Sequence, residues 1–134
     1  MLGMTQFIAT VSLLVADYDE AIAFYCDTLG FNLVSDEDLG GGKRWVVVAP
    51  AGQSGAQLLL AKAEGEAQVA AIGNPGGGRV MFFLNTTSFA KDHAAMLARG
   101  VSFLEAPRHE AYGSVAVFQD LYGNKWDLIE PKKP

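Results

Sequence analysis

The run Val15-Ala16-Asp17-Tyr18-Asp19-Glu20-Ala21-Ile22-Ala23-Phe24-Tyr25-Cys26-Asp27-Thr28-Leu29-Gly30-Phe31 carries the pattern on which the fold turns. Asp17 and Glu20 form an arrangement like a capping box, with a carboxylate placed to accept the free N–H groups of a first helical turn. The helix dipole favours negative charge at that end as well. Ile22, Tyr25, Cys26 and Leu29 then recur at spacings of three and four, giving one apolar stripe. Gly30 supplies a left-handed stop, and Phe31 opens an apolar run. The stretch therefore predicts a helix of three to four turns that passes directly into a strand.

Outward from this helix, residues 7–15 and 31–35 read as strands rich in β-branched and apolar side chains. Gly40-Gly41-Gly42 marks a turn, residues 44–49 a third strand, and residues 56–62 a fourth. The same plan then returns: strand 79–84, helix 88–99 with Phe89, Met96 and Leu97 on its apolar side, Gly100 as its stop, and strands 101–104, 113–119 and 125–130. Gly30 and Gly100 lie 70 residues apart, and that shift lays Phe31 on Val101, Leu33 on Phe103 and Leu58 on Leu128. Identity between the halves is weak, so the order of elements carries the repeat. A unit that cannot bury its own sheet face implies a pair of units. The expectation is one α+β domain spanning 1–134, built of a βαβββ unit at 5–62, a linker loop at 63–78 and a second βαβββ unit at 79–131.

Composition narrows the function. Half of the 134 residues are apolar, and ten Lys plus Arg stand against fifteen Asp plus Glu, for a net charge of −5. That apolar share exceeds what a disordered chain carries, and no apolar run approaches the roughly 18 residues of a membrane span. No basic stripe offers itself to a phosphate backbone, so neither nucleic acid nor membrane is expected as a partner. The opening residues carry no secretory signal pattern, and the lone Cys26 makes no internal disulfide. These readings point to a reducing, cytoplasmic setting and a small partner.

The run from Val15 to Phe31 resembles the opening signature of the vicinal oxygen chelate superfamily, which includes glyoxalase I, bleomycin-resistance proteins, fosfomycin-resistance enzymes and extradiol dioxygenases. Asp120-Leu121-Tyr122-Gly123-Asn124-Lys125-Trp126-Asp127-Leu128 resembles its closing turn and strand. The resemblance implies a curved, eight-stranded mixed sheet around a concave cavity, helices outside, often completed in a homodimer. In metal-dependent members it implies four ligand positions, commonly His, Gln or Glu, on the first and last strand of each unit. Carried over, these fall on Thr10, Gln57, Val80 or Met81, and Asp127.

A divalent centre needs about three N, O or S donors aimed at one point. Asp127 suits that role and Gln57 serves it fairly. Thr10 is a poor donor, Val80 is none, and the Met81 thioether does not suit a hard cation. The expected cofactor is therefore none. His93 sits mid-helix, four residues after Phe89, where packing or solvent exposure is expected. Asp127 alternates with Trp126 and Leu128, so a helix covering the Trp126 face turns Asp127 into the cavity. It then forms an ion pair or a wet wall, or it holds polar groups of a ligand together with Gln57 and an Arg.

Arg44 points opposite Trp45, and its planar fork suits a carboxylate or phosphate; pairing with Asp127 or Glu130 is the alternative. The loop Arg108-His109-Glu110-Ala111-Tyr112-Gly113 is either a cavity mouth, with His109 an acid or base, or a plain surface connection. Val46, Val48, Phe82 or Phe83, and Phe118 are expected as an apolar wall. The resulting expectation is a small-molecule-binding protein using Arg44, Gln57, His109, Tyr112, Phe118 and Asp127. A metal-dependent lyase, isomerase or dioxygenase is the alternative, with missing ligands supplied by His109, a partner subunit or the substrate.

Overall fold

Asp17 takes an extended backbone and its Oδ2 accepts from the Glu20 N–H at 2.9 Å, the cap that the sequence prescribes. The computed structural model describes residues 6–52 and 55–133, and they cluster into two compact units, Met1–Ala63 and Glu64–Pro134.

The first unit runs β1 (Thr10–Val15), α1 (Tyr18–Ile22), β2 (Asn32–Gly40), β3 (Lys43–Ala49) and β4 (Gln57–Lys62). The predicted long helix is only partly α: after Ile22 it widens into a π-helical stretch over Ala23–Thr28, with the Leu29 N–H donating to the Phe24 carbonyl at 2.9 Å. The wider turn shifts the buried stripe to Ala21, Tyr25 and Leu29, and leaves Ile22 and Cys26 half-buried. The strand order is β1-β4-β3-β2, with β1 and β4 parallel and the other pairs antiparallel. Leu13, Val15, Val46, Val48, Leu58 and Leu60 share the buried face. Gly40, Gly41 and Gly42 all hold positive φ (84°, 64° and 84°), which accounts for three consecutive glycines at the β2–β3 turn.

The second unit adds α2 (Gly65–Ala71) to β5 (Val80–Asn85), α3 (Phe89–Ala98), β6 (Ser102–Phe103), β7 (Arg108–Glu110), β8 (Gly113–Gln119) and β9 (Lys125–Pro131). The stretch 63–78, expected to be loop, thus carries a helix. Its end is fixed where Gly73, at φ 76°, packs directly on the Tyr122 carbonyl, leaving no room for a side chain. The sheet order is β5-β9-β8-β6, with β7 also on β8. Between β6 and β7 the ladder breaks near Pro107, and Glu105 Oε2 replaces it by accepting from the Val117 N–H at 2.9 Å. Phe89, His93 and Met96 form the inward stripe of α3, and Leu97 is exposed instead. Glu130 Oε1 accepts from the Phe89 N–H at 2.7 Å, satisfying a free donor at the start of α3. Asp120 and Asn124 are both buried, and the Asp120 carboxylate accepts from the Asn124 backbone N–H and from its Nδ2, each at 2.9 Å, while Asn124 Oδ1 keeps no partner among the described residues.

No helix among the described residues is long and apolar enough to cross a membrane.

Candidate functional site

Alternation along β9 divides the second sheet into a packed face and an open one. Trp126 and Leu128 are buried on the packed face with Phe118. There the rings of Phe82 and Trp126 lie 4.5 Å apart and those of Phe118 and Trp126 lie 5.7 Å apart. His93 joins the same cluster, stacked on Phe89 and edge-on to Phe103, so it packs rather than ligates. Phe118 is fully buried within this core, which corrects its assignment to a ligand-facing wall; Val46 and Val48 are likewise core residues of the first unit.

Asp127 occupies the open face. Register places it between Phe83 on β5 and Val117 on β8. Phe83 is 65% exposed, a large apolar ring standing in solvent beside a carboxylate. Asp127 Oδ1 is buried with no hydrogen-bond partner. Burial pushes the carboxyl up from the ordinary Asp range; Arg108 opposes that shift and Glu105 adds to it. A desolvated carboxylate without a donor is costly, and such perturbed groups concentrate where a protein binds or reacts.

Arg108 shares this face, because it pairs with Val115 while His109 pairs with Ser114 on the other. Two of its nitrogens are engaged: Nε donates to Glu105 Oε1 at 3.0 Å, and Nη1 to Glu110 Oε2 at 2.9 Å and to the Tyr112 hydroxyl at 3.4 Å. The guanidinium holds the Glu105 carboxyl below its usual range. Tyr112 is exposed at the edge of this cluster. His109 lies on the opposite face from Asp127, with Nδ1 2.9 Å from Ser114 Oγ. The residue that sequence reasoning missed is Arg108. Its loop was singled out, but only the β7–β8 register reveals which side chain of that loop faces Asp127.

The first unit places its counterparts differently. Thr10 and Gln57 are directly paired across β1 and β4. Arg44 stands opposite Trp45 as expected, but on the helix-bearing face. Nε and Nη2 grip Asp36 at 3.1 and 2.7 Å, Nη1 reaches Asp19 at 2.9 Å, and the guanidinium lies 5.2 Å from the Tyr18 ring centre. Its partners are thus Asp19 and Asp36 rather than Asp127 or Glu130, and Arg44 ties α1 to the β2–β3 hairpin. The hydrogen bond from Arg44 holds the Asp36 carboxyl below its usual range. An open hollow of about 410 Å³ beside this hairpin is lined by Asp36, Asp38, the three turn glycines and Arg44.

The donor chemistry does not fit a divalent centre. In the second unit the ladder partner of Asp127 is Phe83, not Val80 or Met81, because the strand pairing shifts between Val80 and Phe82. The four corresponding positions therefore offer a hydroxyl, an amide, a phenyl ring and a carboxylate. Among the described residues no group of three or more His, Cys, Asp or Glu could hold an ion. Cys26 is half-buried, and burial pushes its thiol up, the reverse of what a nucleophile needs.

The chain matches the model of the Glyoxalase/Bleomycin resistance protein/Dioxygenase superfamily over residues 7–128. A Shewanella frigidimarina protein, named only as uncharacterized, is 49% identical over 128 residues, covering 95% of each chain. Among solved structures, UcmS2 is similar at 27% identity with a TM-score of 0.81, covering 94% of this chain and 98% of its own. TnmS3, an antibiotic binding protein from Streptomyces sp. CB03234, is similar at 28% identity with a TM-score of 0.79, covering 98% of this chain and all of its own. A strand–helix–strand opening in each unit, the helix opening at Asp17, the closing Asp120–Asn124 turn and a family match across nearly the whole chain agree, and the protein belongs to the Glyoxalase/Bleomycin resistance protein/Dioxygenase superfamily.

Proposed function

We propose that this protein binds a small organic molecule against the open face of its second sheet, and does so without a complete metal centre. The observation that carries the reading is the pair Phe83 and Asp127: an exposed ring in register with a carboxylate whose buried Oδ1 meets no donor among the described residues. Protein interiors leave few buried acceptors unpaired, and those that persist commonly meet a group from outside the chain. A binding face needs an apolar surface with a few placed polar groups, and this face supplies both. Similarity to an antibiotic-binding protein supports the same class of ligand. Tyr112 and Arg108 flank the site, Gln57 stands on the corresponding strand of the first unit, and a second copy of the chain covers open sheet edges in a homodimer.

Isothermal titration with Ni²⁺, Zn²⁺, Mn²⁺ and Fe²⁺, beside a thermal-shift screen of small aromatic antibiotics in EDTA, tests the reading. At least one organic compound is expected to raise the melting temperature in EDTA. Stoichiometric binding of any of the four cations at micromolar affinity contradicts it.

A further inference from the structure

Thr10 pairs with Gln57 across β1 and β4 in the first unit, and Phe83 pairs with Asp127 across β5 and β9 in the second, so one unit sets two neutral polar side chains together and the other an aromatic ring beside an anion. Strands in a sheet lie about 4.8 Å apart, which puts the Phe83 ring and the Asp127 carboxylate within the span of one small molecule. The surrounding charge is negative by a small margin. Arg108 bonds Glu105 and Glu110, and Lys125 stands on the same side of β9 as Asp127, so the five groups together leave an excess of one negative charge at neutral pH. An anionic ligand is repelled there. A neutral hydroxyl satisfies an acceptor but leaves the charge uncompensated, whereas an ammonium or amidinium satisfies both, and a cation is also attracted to the face of the ring.

Resting on the binding reading above, we infer that the ligand of this face is a planar amine, cationic at neutral pH, whose ring lies on Phe83 and whose N–H donates to the carboxylate of Asp127. Asp127 then selects for charge, and Phe83 supplies affinity that is indifferent to charge.

Three planar tricyclic probes separate these roles: 9-aminoacridine, a cation at pH 7; acridone, which is neutral; and 9-anthracenecarboxylate, an anion. Each is titrated calorimetrically into the full-length protein, Asp127→Asn and Phe83→Ala, with circular dichroism confirming that both variants are folded. The cation is expected to bind the parent about tenfold or more tighter than the other two, the range of one charge-assisted hydrogen bond. Asp127→Asn brings its affinity down to that of the neutral probe, and Phe83→Ala weakens every probe that binds. Equal binding of cation and neutral probe, or a preference that survives Asp127→Asn, overturns the inference; in that case loss of the neutral probe in Phe83→Ala still upholds the small-molecule reading. Failure of all three probes to bind overturns both.

Discussion

Each half of the chain holds an arginine clamped between two carboxylates, and the two clamps do different work. Arg44 lies on the helix-bearing face of the first sheet and fastens α1 to a hairpin through Asp19 and Asp36. Arg108 lies on the open face of the second, bonded to Glu105 and Glu110, with Asp127 within reach of its field. One plan, used twice, thus gives a brace in one unit and a charged rim in the other. A repeated unit can vary its open face freely because its core rests on the opposite face. The contrast between core and open face can be broken by substitution, and its steps differ widely in size.

The largest effect belongs to the packed side of the second sheet. Phe118→Ala removes a fully buried ring stacked on Trp126 and tilted against Phe103, and urea unfolding is expected to show a loss of about 3–5 kcal/mol. Phe83→Ala, on the other face of the same sheet, is expected to change stability by less than about 0.5 kcal/mol, the range of an ordinary surface substitution. Equal losses would refute the division of the sheet into core and ligand faces.

Next come the glycines. An added Cβ at Gly73 overlaps the Tyr122 carbonyl oxygen, and the residue also holds positive φ, so Gly73→Ala is expected to cost about 2 kcal/mol or more in chemical denaturation. Gly41 has positive φ but open space around it, and Gly41→Ala should lose only the backbone term of about 1 kcal/mol. A milder effect at Gly73 than at Gly41 would show that α2 is not pinned to the closing turn.

Asp127→Asn is expected to stabilise the fold. A carboxyl whose folded pKa is raised favours the fold when protonated, and that contribution is lost as pH rises through the folded pKa. The neutral amide removes this loss, so melting temperature should rise at pH 7, with the gain shrinking to nothing as pH falls below the ordinary Asp value of 3.8. Asp36 behaves in the opposite sense. Its lowered pKa stabilises the fold above the ordinary value and is lost as pH falls below it. Thermal melts of the two Asn variants across pH 3 to 7 should therefore diverge in sign.

Smallest of all are the arginine clamps, whose side chains keep contact with water. Arg44→Ala and Arg108→Ala are each expected to lower the melting temperature slightly, by an amount that fades in high salt. Only the second should alter affinity for a charged probe.

Most of the architecture was legible in the sequence because it is written locally. The Asp17 cap, the stops at Gly30 and Gly100, the triple-glycine turn and the alternation of Trp126, Asp127 and Leu128 all act within a few residues. That alternation set Asp127 opposite Trp126 and Leu128, and a helix over the Trp126 face was the added condition that turned it away from the core. What sequence could not supply was register. The shift between Val80 and Phe82 decides that Phe83 stands beside Asp127, and the β7–β8 pairing decides that Arg108 rather than His109 faces it. Partner choice among several acids was equally hidden, so Arg44 went to Asp19 and Asp36, and Phe118 proved to be core once the sheet's packed side was known. The helix at Gly65–Ala71 was obscured by its flanking glycines and weak period.

The most direct measurement is a ¹H–¹⁵N correlation spectrum of the labelled protein titrated with 9-aminoacridine. Shift changes should concentrate at Phe83 and its β5 neighbours, at Val117 and at Asp127, leaving the hairpin around Asp36 and Arg44 unmoved. Changes centred on that hairpin, or none across β5, β8 and β9, would contradict the assignment of the ligand face to the second sheet.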